Sequence, residues 1–206
     1  MRKQQREAIL ALLEETYMGT ETALNYSTPF ELLVAVIMSA QCTDERVNKI
    51  TARIFPKYNT PEKMGALSQE QLEEEIRDCG LFRSKAKNLL ATCKMLTEEY
   101  NSVIPDTVEE LMKLPGVGKK TANVVASIVY KVPAIAVDTH VFRVSHRLGL
   151  AKGDDPLAVE KELQKAIPKN KWSDAHHWLI WHGRKICKAR NPLCSECVLV
   201  ELCPYK

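Results

Sequence analysis

The sequence predicts an all-α protein built from two helical domains. Three observations carry that expectation: apolar residues recur with a helical period, alternating β-branched runs are scarce, and turn signals interrupt the chain at short intervals. Ala8, Ile9, Leu12 and Leu13 make the first apolar stripe. Phe30, Leu33, Val34, Ile37 and Met38 make the second, and Leu89, Leu90, Cys93 and Leu96 the third. Ser27-Thr28-Pro29, Asn59-Thr60-Pro61, Cys79-Gly80, Ile104-Pro105-Asp106, Pro115-Gly116, Val132-Pro133 and Gly153-Asp154-Asp155-Pro156 break these patterns. About ten short helices joined by tight turns follow from that punctuation. With no solenoid repeat and no low-complexity linker, the expected division is one of packing: a six-helix bundle over residues 22–132, and a second domain in which residues 1–21 join 133–206.

The chain has 206 residues, 45% hydrophobic and 27% charged, with only 8 glycines. That is enough to bury a core without disulfide staples and excludes disordered and collagen-like classes. The longest apolar run, Leu32 to Met38, falls far short of the ~20 residues that cross a bilayer. The start MRKQQREAIL lacks the apolar stretch of a signal peptide. A soluble, cytoplasmic, monomeric protein with no membrane partner is the expectation. The net charge of +3 is uninformative as a sum, but residues 114–152 hold six basic residues against the single acidic Asp138, whereas Glu62 to Asp78 is acidic. Seven cysteines, four of them within the last 20 residues, argue for a metal or cluster site in a reducing compartment rather than a disulfide framework.

Two candidate capping boxes, Asp106 to Glu109 and Thr107 to Glu110, start a helix that Leu114-Pro115-Gly116-Val117-Gly118 stops. The next helix begins at Lys119, giving a helical hairpin over about residues 107–130. Gly116 and Gly118 allow positive φ and let amide N–H groups approach a phosphate in line with the following helix dipole. The turn is not a P-loop: Lys113 occupies the place of the first glycine, and Lys120 that of the Ser or Thr. Read alone, it is equally a plain helical corner. Asp138 precedes a helix whose apolar stripe is Val141, Val144 and Leu148, so its local reading is an N-cap. Cys187, Cys194, Cys197 and Cys203 follow a C-x6-C-x2-C-x5-C spacing. Four thiolates so placed suit either tetrahedral zinc or a [4Fe-4S] cluster. Cys42, Cys79 and Cys93 read as reduced core or near-core residues.

Leu114 to Asn123 (LPGVGKKTAN), Val137 to Arg143 (VDTHVFR), His176-His177-Trp178 and the terminal cysteines, in this order and spacing, resemble the helix-hairpin-helix DNA glycosylases that carry an iron–sulfur cluster. The likeness runs from about Phe30 to Tyr205 and implies an enzyme of base-excision DNA repair. The resemblance further implies double-stranded DNA containing damaged bases or abasic sites as the partner, and as cofactor a [4Fe-4S] cluster held by Cys187, Cys194, Cys197 and Cys203. Lys120 matches the family's catalytic lysine, whose amine attacks C1′ and forms a Schiff base with the sugar. Lys119 and Lys120 lie ~100° apart on a helix, and the resemblance alone chooses between them. Asp138 matches the catalytic aspartate, a role compatible with capping. Gln41 and Leu81 match two loops that fill the gap left by an extruded nucleotide, although each also reads as an ordinary helix-end amide and core leucine. Gly116, Gly118, Lys188 and Arg190 are the expected phosphate contacts.

The implied activity is bifunctional: N-glycosylase on oxidised pyrimidines, and lyase cleaving 3′ to the abasic site by β-elimination. The alternatives are a monofunctional adenine glycosylase of the same superfamily, a helix-hairpin-helix module that binds DNA without catalysis, and an electron carrier suggested by the cluster alone. His140, His176, His177 and His182 are expected in packing or DNA-facing roles, since the cysteines already form a complete ligand set. The two domains are expected to flank a DNA-binding cleft.

Overall fold

A computed structural model describes residues 2–205. Among them the secondary structure is entirely helical, as eleven α-helices and two 3-10 turns. Two compact units divide the chain: Ala23–Tyr130, and the residues up to Thr22 together with those from Lys131 onward.

The Ala23–Tyr130 unit holds α2 (Pro29–Ser39), α3 (Asp44–Ile54), α4 (Pro61–Gly65), α5 (Gln69–Glu75), α6 (Phe82–Glu99), α7 (Val108–Leu111) and α8 (Lys119–Tyr130). Its helix starts are written locally. Thr28, Thr43, Thr60, Ser68 and Thr107 each accept a backbone N–H at the N-cap, with Pro29 and Pro61 entering the first turn and Ser68–Gln71 closing a capping box. The helix before the glycine turn is a single short piece capped by Thr107, and neither expected box closes: the Glu110 carboxylate accepts from Tyr100 and Lys113 instead. Every residue of α2 from Phe30 to Met38 is buried, so this helix has no solvent face. It packs against α3, α6 and α8, while α4 and α5 pack on α6. Glu31 survives there because its carboxylate accepts the Ser27 N–H at 2.6 Å.

The other unit holds α1 (Lys3–Tyr17), α9 (Thr139–Arg147), α10 (Pro156–Ala166) and α11 (Trp172–Lys185). α11 packs against both α1 and α9. Ile9, Leu13, Val141, Val144, Val159, Leu163, Leu179 and Leu199 form its core. The buried stripe of α1 is Ile9, Leu10, Leu13 and Tyr17, rotated from the Ala8/Leu12 edge that the residue pattern suggested, because Tyr17 turns inward onto α11. No helix among the described residues is long and apolar enough to cross a membrane.

Candidate nucleic-acid interface and active site

The glycine turn sits between α7 and α8. Gly116 has φ +77°, and a Cβ there would fall 2.8 Å from Asn88 Nδ2 and 2.9 Å from Asn88 Cβ, so both conformation and crowding demand glycine. Gly118 differs from the expectation of a second positive φ: its backbone is ordinary and nothing lies within 4 Å of its missing Cβ. A side chain there would meet open space beside the start of α8. Thr92 of α6 anchors the turn by donating its hydroxyl to the Pro115 carbonyl at 2.8 Å. Lys119 and Lys120 are exposed at the start of α8, while Ala122, Val125 and Ala126 bury the opposite face. Asn123, one turn on, is buried with Nδ2 unpaired.

Gln41 and Leu81 share an unusual feature that sequence pattern did not announce. Both are left-handed, with φ of 53° and 58°, a conformation that costs an L-residue roughly 1–2 kcal/mol. Leu81 is 58% exposed at the N-cap of α6, which removes the reading of an ordinary core leucine. The loops abut: a Cβ on Gly80 would lie 2.9 Å from the Gln41 carbonyl oxygen. Two strained, solvent-facing side chains are thus held next to one another within one unit.

Asp138 caps α9. Its Oδ1 accepts the N–H groups of His140 and Val141, both at 2.8 Å, and Oδ2 takes no hydrogen bond from the described residues. One oxygen therefore holds the helix while the other stays available for chemistry. His140 is held below the ordinary histidine value, first by burial, so that its Nδ1 accepts from Arg143 at 3.2 Å. His176 pairs through Nδ1 with the Ala136 carbonyl at 2.8 Å.

At the far end of α9, Arg143 and Arg147 face inward. Arg143 donates to the Cys187 carbonyl at 3.1 Å and the Gly183 carbonyl at 2.9 Å. Arg147 donates to the carbonyls of Lys188 and Ala189 and lies 3.5 Å from the Cys187 sulfur. Two of the basic residues counted as a local positive surface are therefore spent on backbone, whereas Lys188 and Arg190 project exposed from the loop they hold. Neither arginine was singled out from sequence; their i, i+4 spacing beside the buried Val144 was the available signal.

Cys187, Cys194, Cys197 and Cys203 ring one cavity lined otherwise by Leu148, Ile186, Pro192 and Val200, with Tyr205 and His182 at its wall. No three His, Cys, Asp or Glu side chains among the described residues converge as a single metal ion requires. Thiols spread around an apolar cavity fit a multi-iron cluster, whose ligand sulfurs stand apart, better than one tetrahedral zinc. His182 is fully enclosed, and burial pushes its pKa down to about 4, so the ring is neutral. Its Nδ1 lies 3.0 Å from the Tyr17 hydroxyl and its Nε2 3.6 Å from the Cys197 sulfur. His182 thus bridges Tyr17 of α1 and the Cys197 sulfur, one ring nitrogen to each.

The profile described as HhH-GPD superfamily base excision DNA repair protein matches residues 34–169, and that of the iron-sulfur binding domain of endonuclease III matches residues 187–203. The chain belongs to the HhH-GPD superfamily of base excision DNA repair proteins.

Inside that superfamily its likeness is to endonuclease III. It is 50% identical to the protein of that name from Rickettsia prowazekii, over 100% of this chain and 97% of the relative. With Escherichia coli K12 endonuclease III the identity is 47%, over 100% and 98%. A solved trapped endonuclease III–DNA covalent intermediate, the estranged-adenine complex, superposes with a TM-score of 0.95 at 51% identity, covering 100% of this chain and 97% of that one. A thermostable thymine-DNA glycosylase shares the fold at a TM-score of 0.88 with 23% identity, covering 98% and 96%.

Proposed function

We propose that the protein is a bifunctional DNA N-glycosylase and abasic-site lyase acting on oxidised pyrimidines in double-stranded DNA. The observation that carries this reading is the full-length match to an endonuclease III–DNA covalent intermediate, with Lys120 exposed at the exit of the glycine turn. A covalent intermediate needs a nucleophile, and an accessible primary amine supplies one.

In the proposed reaction the free amine of Lys120 attacks C1′, the C1′–N bond breaks, and the base leaves with a proton. The nitrogen lone pair then opens the C1′–O4′ bond, O4′ takes a proton from water, and the resulting iminium joins Nζ to the ring-opened sugar. Loss of a C2′ proton then expels the 3′ phosphate by β-elimination, and water releases the enzyme from the unsaturated sugar. We assign to Asp138 the role of the carboxylate that steadies the cation developing as the base departs, through the Oδ2 that carries no cap. Gln41 and Leu81 occupy the space of the extruded nucleotide. Gly116 and Gly118, with Lys188 and Arg190, hold phosphates without reading sequence.

Cys187, Cys194, Cys197 and Cys203 are the proposed ligands of the [4Fe-4S] cluster, which when bound orders the loop bearing Lys188 and Arg190. The protein acts in the cytoplasm of a bacterial-type cell, on its DNA.

Product analysis on an end-labelled thymine-glycol duplex tests the reading. An unsaturated aldehyde at the 3′ end and a 5′ phosphate are expected. Release of the base with the strand left intact would instead favour a monofunctional glycosylase, and binding with neither product a DNA-binding module.

A further inference from the structure

Lys85, near the start of α6, is only 5% exposed, and among the described residues no carboxylate is paired with it. Its ammonium donates instead to the Met38 carbonyl at 2.7 Å, the Ala40 carbonyl at 2.6 Å and the Cys79 sulfur at 3.2 Å. Three N–H groups thus meet three acceptors. Two of those acceptors are carbonyls at the C-terminal end of α2, where the helix leaves oxygens without intrahelical partners and carries the negative end of its dipole. A cation delivered from another helix closes that end. The residue immediately after is Gln41, already in a left-handed conformation. The third acceptor, Cys79, precedes Gly80 and Leu81, and burial keeps its thiol protonated, free to donate onward to the Met38 carbonyl at 3.4 Å. The Lys85 backbone N–H donates to the Leu81 carbonyl at 3.1 Å, in the first hydrogen bond of α6.

One buried side chain therefore touches the chain just before each of the two exposed left-handed residues. The same face of α6, at spacings of three and four residues, carries Asn88 against Gly116 and Thr92 on the Pro115 carbonyl. A core lysine with no acid partner is poor economy for stability alone, since an apolar residue would fill the space without desolvating a charge. It is well suited to fixing two loops at once.

We propose that Lys85 is a positioning residue for base extrusion: by closing the end of α2 and bonding Cys79, it sets Gln41 and Leu81 in register as one wedge. This rests on the reading of those two residues as gap-filling. Its consequence is selective. Losing the register matters where a stacked, paired base must be expelled and replaced, and matters little where the lesion is already unstacked.

The test compares single-turnover rates of the cluster-loaded full chain on thymine glycol in paired duplex and in a single-stranded oligonucleotide. Lys85→Met keeps the length and removes all three hydrogen bonds; about a tenfold or greater loss is expected on the duplex, with less than about threefold on the single strand. Gln41→Ala should show the same selective pattern, and the double variant should be no worse than the poorer single, because both act on one wedge. Should Lys85→Met prove too unstable to assay, Gly80→Ala displaces the same loops through the 2.9 Å approach to the Gln41 carbonyl, leaving the ammonium in place, and should be selective in the same way. Equal losses on both substrates, or additive losses in the double variant, overturn the inference. If Gln41→Ala and Leu81→Ala both excise the paired lesion at the wild-type rate, the gap-filling reading itself falls and takes this inference with it. Selective loss in those two variants with a normal Lys85→Met refutes the role of Lys85 alone.

Discussion

Replacing Asp138 separates its two jobs. The carboxylate caps α9 through Oδ1 alone, with two amide bonds at 2.8 Å. Asp138→Asn keeps an oxygen in that place and loses only the charge, whose interaction with the helix N-terminus is worth about 0.3–1 kcal/mol. Asp138→Ala leaves both amides uncapped, a loss of about 1 kcal/mol beyond side-chain packing. For a chain of this size, 1 kcal/mol lowers Tm by roughly 2–4 °C, so Ala should melt about that far below wild type and Asn close to it. Activity should order differently. Both variants lack the carboxylate, and both should lose roughly 10²–10³-fold in single-turnover base excision, the scale typical of removing one preorganised electrostatic group. Melting curves and single-turnover kinetics on the same preparations decide the matter. If Asp138→Asn excises at the wild-type rate while Asp138→Ala melts low, Asp138 is a cap and nothing more.

The two glycines of the hairpin should fail in opposite ways. Gly116→Ala, strained at φ +77° and 2.8 Å from Asn88, should lower Tm measurably, whereas Gly118→Ala should leave Tm unchanged and weaken binding to abasic-analogue duplex by fluorescence anisotropy; unchanged affinity there removes Gly118 from the phosphate site. Leu81→Gly should raise stability by roughly 1 kcal/mol through relief of its left-handed strain, while slowing excision from paired duplex; a Tm below wild type would mean that this exposed side chain contributes packing that outweighs the strain. Burial, the largest cause, holds the His177 pKa below the ordinary 6.5, so below that pH the unfolded chain binds a proton that the folded ring does not. Stability should accordingly be flat above about pH 7 and fall on acidification through 6.5, with a smaller slope in His177→Gln; an unchanged slope assigns the acid sensitivity elsewhere.

What could be read from the sequence was what depends on neighbours along the chain. Thr28-Pro29 and Thr60-Pro61 announce helix starts because an N-cap bonds an amide only three residues on. The valine and leucine spacing of α9 gives its buried face for the same reason. The cysteine quartet is legible as a ligand set from spacing, but its preference for a cluster over zinc needed either a family resemblance or the ring of thiols in space. Lys120 is a different case: composition and helical position do not separate it from Lys119, and the resemblance alone points to it. Residues that act through tertiary contact were silent. Arg143 and Arg147 look like surface charge until α9 is placed beside the 187–190 loop, and a lysine at position 85 would be expected in solvent. Leu81 reads as a core leucine because nothing in the local sequence requires a left-handed backbone; the tight approach of Gly80 to Gln41 imposes the geometry from across the unit.

The central claim is that the nitrogen of Lys120 becomes bonded to deoxyribose. Borohydride reduction during reaction with an abasic or thymine-glycol duplex, followed by peptide mass mapping, locates that bond directly. The account predicts a stable cross-link on the peptide beginning at the start of α8, with the sugar mass on Lys120, and no cross-link or strand scission from Lys120→Ala. A cross-link at another residue, or a Lys120→Ala protein that still nicks the lesion at the wild-type rate, would contradict it.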